Sequence, residues 1–264
     1  MIKKSLFLLY ALIIALSGSL KCNAQLTDAQ VKELLFKIDD SIASIKTVAY
    51  KIEYANKYLS KKDTVHTTAV CSLYIAPKDK MKAYSIVDGK FTEMNMTQYM
   101  HRAYDGKKTS WANCRANSLG HAIKPEIGTT GKVNRSVVEN YSNVLLPEYL
   151  NQEKPFGRYA PAVGMIGFKE EMLHDVPVYV FTITFKDKED VKDNVEKHYV
   201  RKSDLLPVAY SSFLRWEGME QYRYYEVEYL AINTGLTAED FKISKDEILN
   251  AKERYAVFMD KIKK

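Results

Sequence analysis

The chain has 264 residues, of which 46% are hydrophobic and 27% charged, a composition that excludes disordered, collagen-like and coiled-coil classes. Nineteen Tyr and ten Phe against eleven Gly and seven Pro point to a strand-rich protein with few breaks. The formal charge of +6 falls to +3 once Lys3, Lys4 and Lys21 are set aside with a cleavable leader, which is too little for a nucleic-acid binder.

The leader is read from residues 1–24. Lys3 and Lys4 precede an apolar run, Ser5 to Leu16, of the length expected for a secretory signal. A spanning helix would need about 20 apolar residues, and Lys21 closes the run early. Cys22, Asn23 and Ala24 offer small residues for cleavage after Ala24, whereas Cys22 lacks the small residue that normally precedes a lipidated Cys. Residues 25–264 are thus expected as one domain exported to the periplasm of a Gram-negative bacterium, with no membrane span in the mature chain.

Thr27 to Gln30 reads as a capping box. Val31, Leu34, Leu35, Ile38, Ile42 and Ile45 follow at helical spacing, predicting a helix over 28–45. The period then changes to two: Val48, Tyr50, Ile52 and Tyr54 share one face of a strand, and Ala69, Cys71, Leu73 and Ile75 share one face of the next. Residues 77–80 make a turn, and Asp88-Gly89 and Asp105-Gly106 predict two tight hairpins within an antiparallel meander over 81–116. Ser136 to Glu139 predicts a further cap, with a helix running to Pro147, and 147–168 reads as an irregular Pro- and Gly-rich loop. Strands resume at 175–186, 197–202, 207–216 and 219–231, with Glu217-Gly218 as a turn. The charged run 186–197 reads as a solvated hairpin tip. Ser244 to Glu247 caps a last helix over 245–262. The fold class is α+β.

Motifs for chemistry are absent. The His residues at 66, 101, 121, 174 and 198 show no metal-ligand spacing. There is no Cys-x-x-Cys and no Gly-x-Ser-x-Gly. Gly128 to Lys132 is too short for a phosphate loop, and His174-Asp175 suits a turn before a strand. No cofactor, metal or catalytic residue is expected. Cys71 and Cys114 fall about three strands apart, roughly 14 Å, against the 7 Å or so that a disulfide allows, so two buried or partly buried thiols are expected.

Several segments in order resemble the LolA-like family: the run from Cys71 to Lys80 (CSLYIAPKDK), the run from Tyr104 to Trp111 (YDGKKTSW), the strand opening at Asp175 (DVPVY), and the turn and strand from Ser203 to Val208 (SDLLPV). The resemblance covers roughly 28–243, with the helix at 245–262 as an addition. It implies a strongly curved antiparallel sheet, a half-open β-barrel, enclosing or covered by helices around an apolar concavity that accepts acyl chains. The family's lipoprotein carriers place a basic residue directly before the Pro of the first motif; here it is Ala76.

On that basis the expected function is non-catalytic binding or carriage of an apolar ligand, a lipid or a lipoprotein acyl chain, in the bacterial envelope. The alternative is a protein-interaction or sensor domain in envelope signalling with no lipid cargo. The residues expected to line the apolar cavity are Leu35, Ile38, Met94, Met96, Tyr179, Phe181, Ile183, Phe185, Tyr225, Val227 and Tyr229. The expected partners are an apolar small molecule, lipid or lipoprotein, and an envelope protein.

Overall fold

Thr27 caps the first helix, α1 (Asp28–Ala43), as its motif requires. Its hydroxyl accepts from Gln30 N, and the Gln30 side chain accepts from Thr27 N at 2.9 Å. The computed structural model describes residues 26–59, 61–93, 96–115, 126–130, 144–150 and 154–243, with Glu253 and Ala256; of Glu93, Met96, Thr129 and Thr130 it describes the backbone. The expected leader and the helix start at Ser136 lie outside the described residues. So does the helix over 245–262, apart from Glu253 and Ala256, which are helical.

Eleven strands form one antiparallel sheet. They are β1 (Thr47–Lys57), β2 (Val65–Ile75), β3 (Ala83–Glu93), β4 (Met96–Tyr104), β5 (Thr109–Arg115), β6 (Glu126–Thr130), β7 (Ile166–Leu173), β8 (Val176–Thr184), β9 (Val191–Arg201), β10 (Pro207–Trp216) and β11 (Met219–Ile232). Two meanders, β1–β6 and β7–β11, join where β1 pairs with β11, and among the described residues β6 and β7 are the outermost strands. The sheet is therefore an open, curved half-barrel of the α+β class, with helices against its concave face. A bulge beside Ala49 and Tyr50 leaves Leu230 outside the β1–β11 register.

Period-two burial assigns the faces. Tyr50, Ile52, Tyr54, Ala69, Cys71, Leu73 and Phe181 pack with Val31, Leu34, Leu35, Ile38 and Ile42 of α1 in one core. Each apolar side chain that α1 buries is worth about 1.5–3 kcal/mol. Val144, Leu145, Leu146 and Tyr149 join the same core from the segment leading into a short helix, α2 (Pro147–Leu150), and Phe156 joins it just before a 3-10 segment, Gly157–Met165. Asp39, buried on α1, pins that segment by accepting from Phe156 N at 2.9 Å and Gly157 N at 2.7 Å. A Cβ at Gly157 would lie 2.7 Å from the Asp39 carboxylate, so glycine permits the approach.

Some sequence expectations change. Asp88-Gly89 is not a hairpin turn: both residues lie inside β3, where Gly89 pairs with Ala69 and Met100. Pro147 starts a helix instead of ending one, consistent with proline's fit to the first helical position. The stretch 147–168 is not wholly irregular, because it holds α2, the 3-10 segment and the start of β7. The second half of the charged run 186–197 is strand β9, since an exposed strand face tolerates Lys and Glu. Asp105-Gly106 does turn, with Gly106 at φ 89°. His174-Asp175 also turns, both residues having positive φ as a primed hairpin needs.

Candidate functional site

The concave face carries a row of aromatic residues set side by side across the strands. Register places Phe91 beside Thr67, Thr67 beside Tyr54, Tyr54 beside Tyr225, Tyr225 beside Tyr210, Tyr210 beside His198, His198 beside Phe181 and Phe181 beside Phe168. Tyr210 and Tyr225 stack with ring centres 5.4 Å apart, His198 meets Tyr210 at 5.0 Å, and Phe168 meets Phe181 at 5.4 Å. Phe156 caps the row against His198 and Phe181. Such pairs add about 0.5–1.5 kcal/mol each beyond area burial.

Tyrosine hydroxyls fasten the 144–149 segment onto this face. Tyr50 donates to Val144 O and accepts from Leu146 N, both at 3.0 Å. Tyr225 donates to Glu148 at 3.0 Å. Tyr229 gives its one proton to Pro207 O at 2.7 Å, so Tyr149 is the donor in the 2.7 Å contact between Tyr149 and Tyr229. Burial holds the phenols of Tyr50, Tyr225 and Tyr229 well above their ordinary value and pushes those of Tyr54 and Tyr210 up to about 12. These groups are therefore neutral donors at physiological pH and supply no base.

The expected cavity residues divide into three groups. Leu35, Ile38, Phe181 and Tyr225 come together in the core, with Tyr179, Val227 and Tyr229 packed against it. Ile183 shares the face of Phe181 but is half-buried, and Phe185 lies just past the end of β8 and is exposed. Met94 lies outside the described residues, as does the side chain of Met96. Tyr54, His198, Tyr210 and Phe168 were missed. His198 reads in sequence as one of five scattered His, just past the charged run 186–197, and Phe168 sits between Gly167 and Lys169 at the end of the 147–168 loop expectation.

The cover thins toward β7. Leu35, Ile38 and Phe181 are almost wholly buried, whereas Phe168, Tyr179 and Ile183 are half-buried. Met165 and Met172, at the two ends of β7, are 79% and 62% exposed.

A separate cleft of about 370 Å³ is lined by Lys51, Glu53, Glu226 and Glu228, which alternate with the concave residues of β1 and β11, together with His174, Arg201 and Val208. Several of its polar side chains are partnered: Lys51 with Glu53 at 2.8 Å, His174 with Glu226 at 3.1 Å, and Arg201 with Asp204. Tyr224 also donates to Glu226. The cleft holds no Ser or Cys beside a base. Among the described residues no three His, Cys, Asp or Glu side chains are grouped to hold a metal. Cys71 and Cys114 are free and buried. No helix among the described residues is long and apolar enough to cross a membrane.

No protein-family model matches the chain, and no curated protein matches it. Solved structures similar to this chain include the lipoprotein LppX of Mycobacterium tuberculosis, at 10% identity over 80% of this chain and 100% of that one, TM-score 0.41. LprF of Mycobacterium bovis is similar at 6% identity over 80% and 96%, TM-score 0.42. MucB in its complex with MucA from Pseudomonas aeruginosa is similar at 9% identity over 81% of this chain and 61% of that one, TM-score 0.35.

Proposed function

We propose that the chain is an exported, non-catalytic binding protein of the bacterial envelope that takes an acyl chain of a lipid or lipoprotein on the concave face of its half-barrel. The observation that carries this reading is the aromatic row together with its uneven cover. Apolar side chains continue in register from the buried centre to Phe168, Tyr179 and Ile183, which are half-buried. An acyl chain needs only apolar walls. Ten methylenes at about 0.8 kcal/mol each give a useful gross affinity before ordering costs. The exposed Met165 and Met172 supply soft, adaptable contact at the open end.

A second reading, an interaction or sensor domain without lipid cargo, is favoured by the filling of the concave centre with Leu146, Tyr149 and Phe156 of the chain itself. Mass spectrometry of an organic extract of the purified protein separates the two. The acyl-chain reading expects stoichiometric lipid in the extract. An extract without lipid, from folded protein, supports the interaction reading.

A further inference from the structure

Next to the aromatic row lies a polar one on the same face. Register sets Asn56 of β1 beside Arg223 of β11, Arg223 beside Ser212 of β10, and Ser212 beside Glu196 of β9; Ile183 and Ile166 continue the row on β8 and β7. Asn56 is 1% exposed, yet neither its Oδ1 nor its Nδ2 has a hydrogen-bond partner. A buried amide unmet at both ends is costly unless something else meets it. Arg223 is exposed, and its charge is felt by the phenols of Tyr54 and Tyr210 in the row behind it.

Arg158 reaches the same corner from the 3-10 segment. Its guanidinium lies 4.7 Å from the centre of the Tyr159 ring and donates to the Tyr159 hydroxyl, which in turn reaches Glu196 at 3.4 Å. Among the described residues neither Arg158 nor Arg223 forms an ion pair with a carboxylate within 4.0 Å. Glu196 has His198 at 3.7 Å as a closer counterpart. Arg158 thus approaches Glu196 through Tyr159, and Arg223 lies two strands from Glu196 on the same row.

We infer that this row is a head-group subsite and that the acyl-chain ligand carries an anionic head, a carboxylate or a phosphate, received by Arg223, Arg158 and the Asn56 amide. The inference rests on the acyl-chain reading. A guanidinium presents paired N–H donors that match either oxyanion, and the amide N–H of Asn56 adds a third donor beside Arg223. The head would sit over β1, β11 and β10, with the chain directed toward the half-buried Phe168, Tyr179 and Ile183 at the β7 edge.

The test is displacement of a bound fluorescent sixteen-carbon fatty acid by palmitate, hexadecyl phosphate and hexadecanol, which share a chain and differ in the head. Palmitate and hexadecyl phosphate should each displace the probe at least about tenfold more tightly than hexadecanol, the effect of one charge-assisted contact; the stronger of the two identifies the head class. The pair Arg158→Gln and Arg223→Gln should erase that preference and leave the dissociation constant of hexadecanol itself unchanged once the probe's own weaker binding is taken into account, whereas Lys51→Gln in the other cleft should change nothing. Equal displacement by all three ligands, or a preference that survives the double variant, would overturn the subsite while leaving the acyl-chain reading in place. Failure of the probe to bind folded protein would overturn both.

Discussion

The Tyr225 hydroxyl lies 3.0 Å from the Glu148 carboxylate, and both side chains are buried where the sheet meets the 144–149 segment. The other carboxylate oxygen has no hydrogen-bond partner. This one contact therefore carries the polar satisfaction of Glu148. Tyr225→Phe should leave both oxygens unmet and lower stability by about 1–3 kcal/mol, read as a shift in denaturation midpoint. In a Glu148→Leu background the same substitution should cost much less, and an equal cost in both backgrounds would mean the pair is not coupled.

Helix α1 should prove central to the core. Leu35 and Ile38 are both 0% exposed, so either one changed to Ala should cost about 2–5 kcal/mol. Chemical denaturation monitored by circular dichroism checks this, and an unmoved midpoint would place the helix outside the cooperative unit.

The first helix was legible in the sequence because Thr27, Gln30 and the apolar stripe agree on where it begins and which face it buries. Strands β1, β2 and β8 were legible because large apolar residues alternate without interruption. Strand β7 was not: Gly167, Lys169, Glu170 and Glu171 mask its alternation, as suits an edge strand that meets solvent. The Asp88-Gly89 pair looked like a turn because a glycine inside a paired strand and a glycine that turns a chain are identical in one dimension. Half of the aromatic row was visible as apolar faces, but its lateral order depends on the pairing of β1 with β11, residues far apart in sequence.

Asp39 should give stability a recognisable pH dependence. Burial raises its carboxyl above the ordinary 3.8, outweighing the two backbone N–H groups that favour the carboxylate. The folded state then holds the proton more tightly than the unfolded chain. This group's contribution is present in full below 3.8 and is lost as pH rises through the folded value. Asp39→Asn should remove that part of the slope. It should also lower stability at neutral pH by about 1–2 kcal/mol, because an amide nitrogen would face the N–H of Phe156 or Gly157. Urea midpoints across the acid range measure both effects, and an unchanged slope in the variant would count against the assignment.

The two thiols should be inert in the folded protein. Burial pushes the Cys71 thiol up to about 12 and that of Cys114 up to about 11, and the thiolate is the reactive form. Strands β3 and β4 separate the two. Alkylation followed by intact-mass measurement should label neither in native protein and both after denaturation without reductant. Recovery of only unlabelled, mass-reduced protein under those conditions would reveal a disulfide instead.

The most direct test of the acyl-chain site is a fluorescence titration of the purified protein with a sixteen-carbon fatty-acid probe, comparing wild type with Phe168→Asp. Phe168 lies on the edge strand, half-buried against Tyr179 and Phe181, so the variant places a charge where the apolar face opens without emptying the centre of the core. Saturable, one-to-one binding by wild type, weakened at least about tenfold in the folded variant by the cost of desolvating that charge, is the predicted result. Wild-type protein that is folded and binds no probe, or a variant that binds as tightly as wild type, would contradict an acyl-chain site on the concave face.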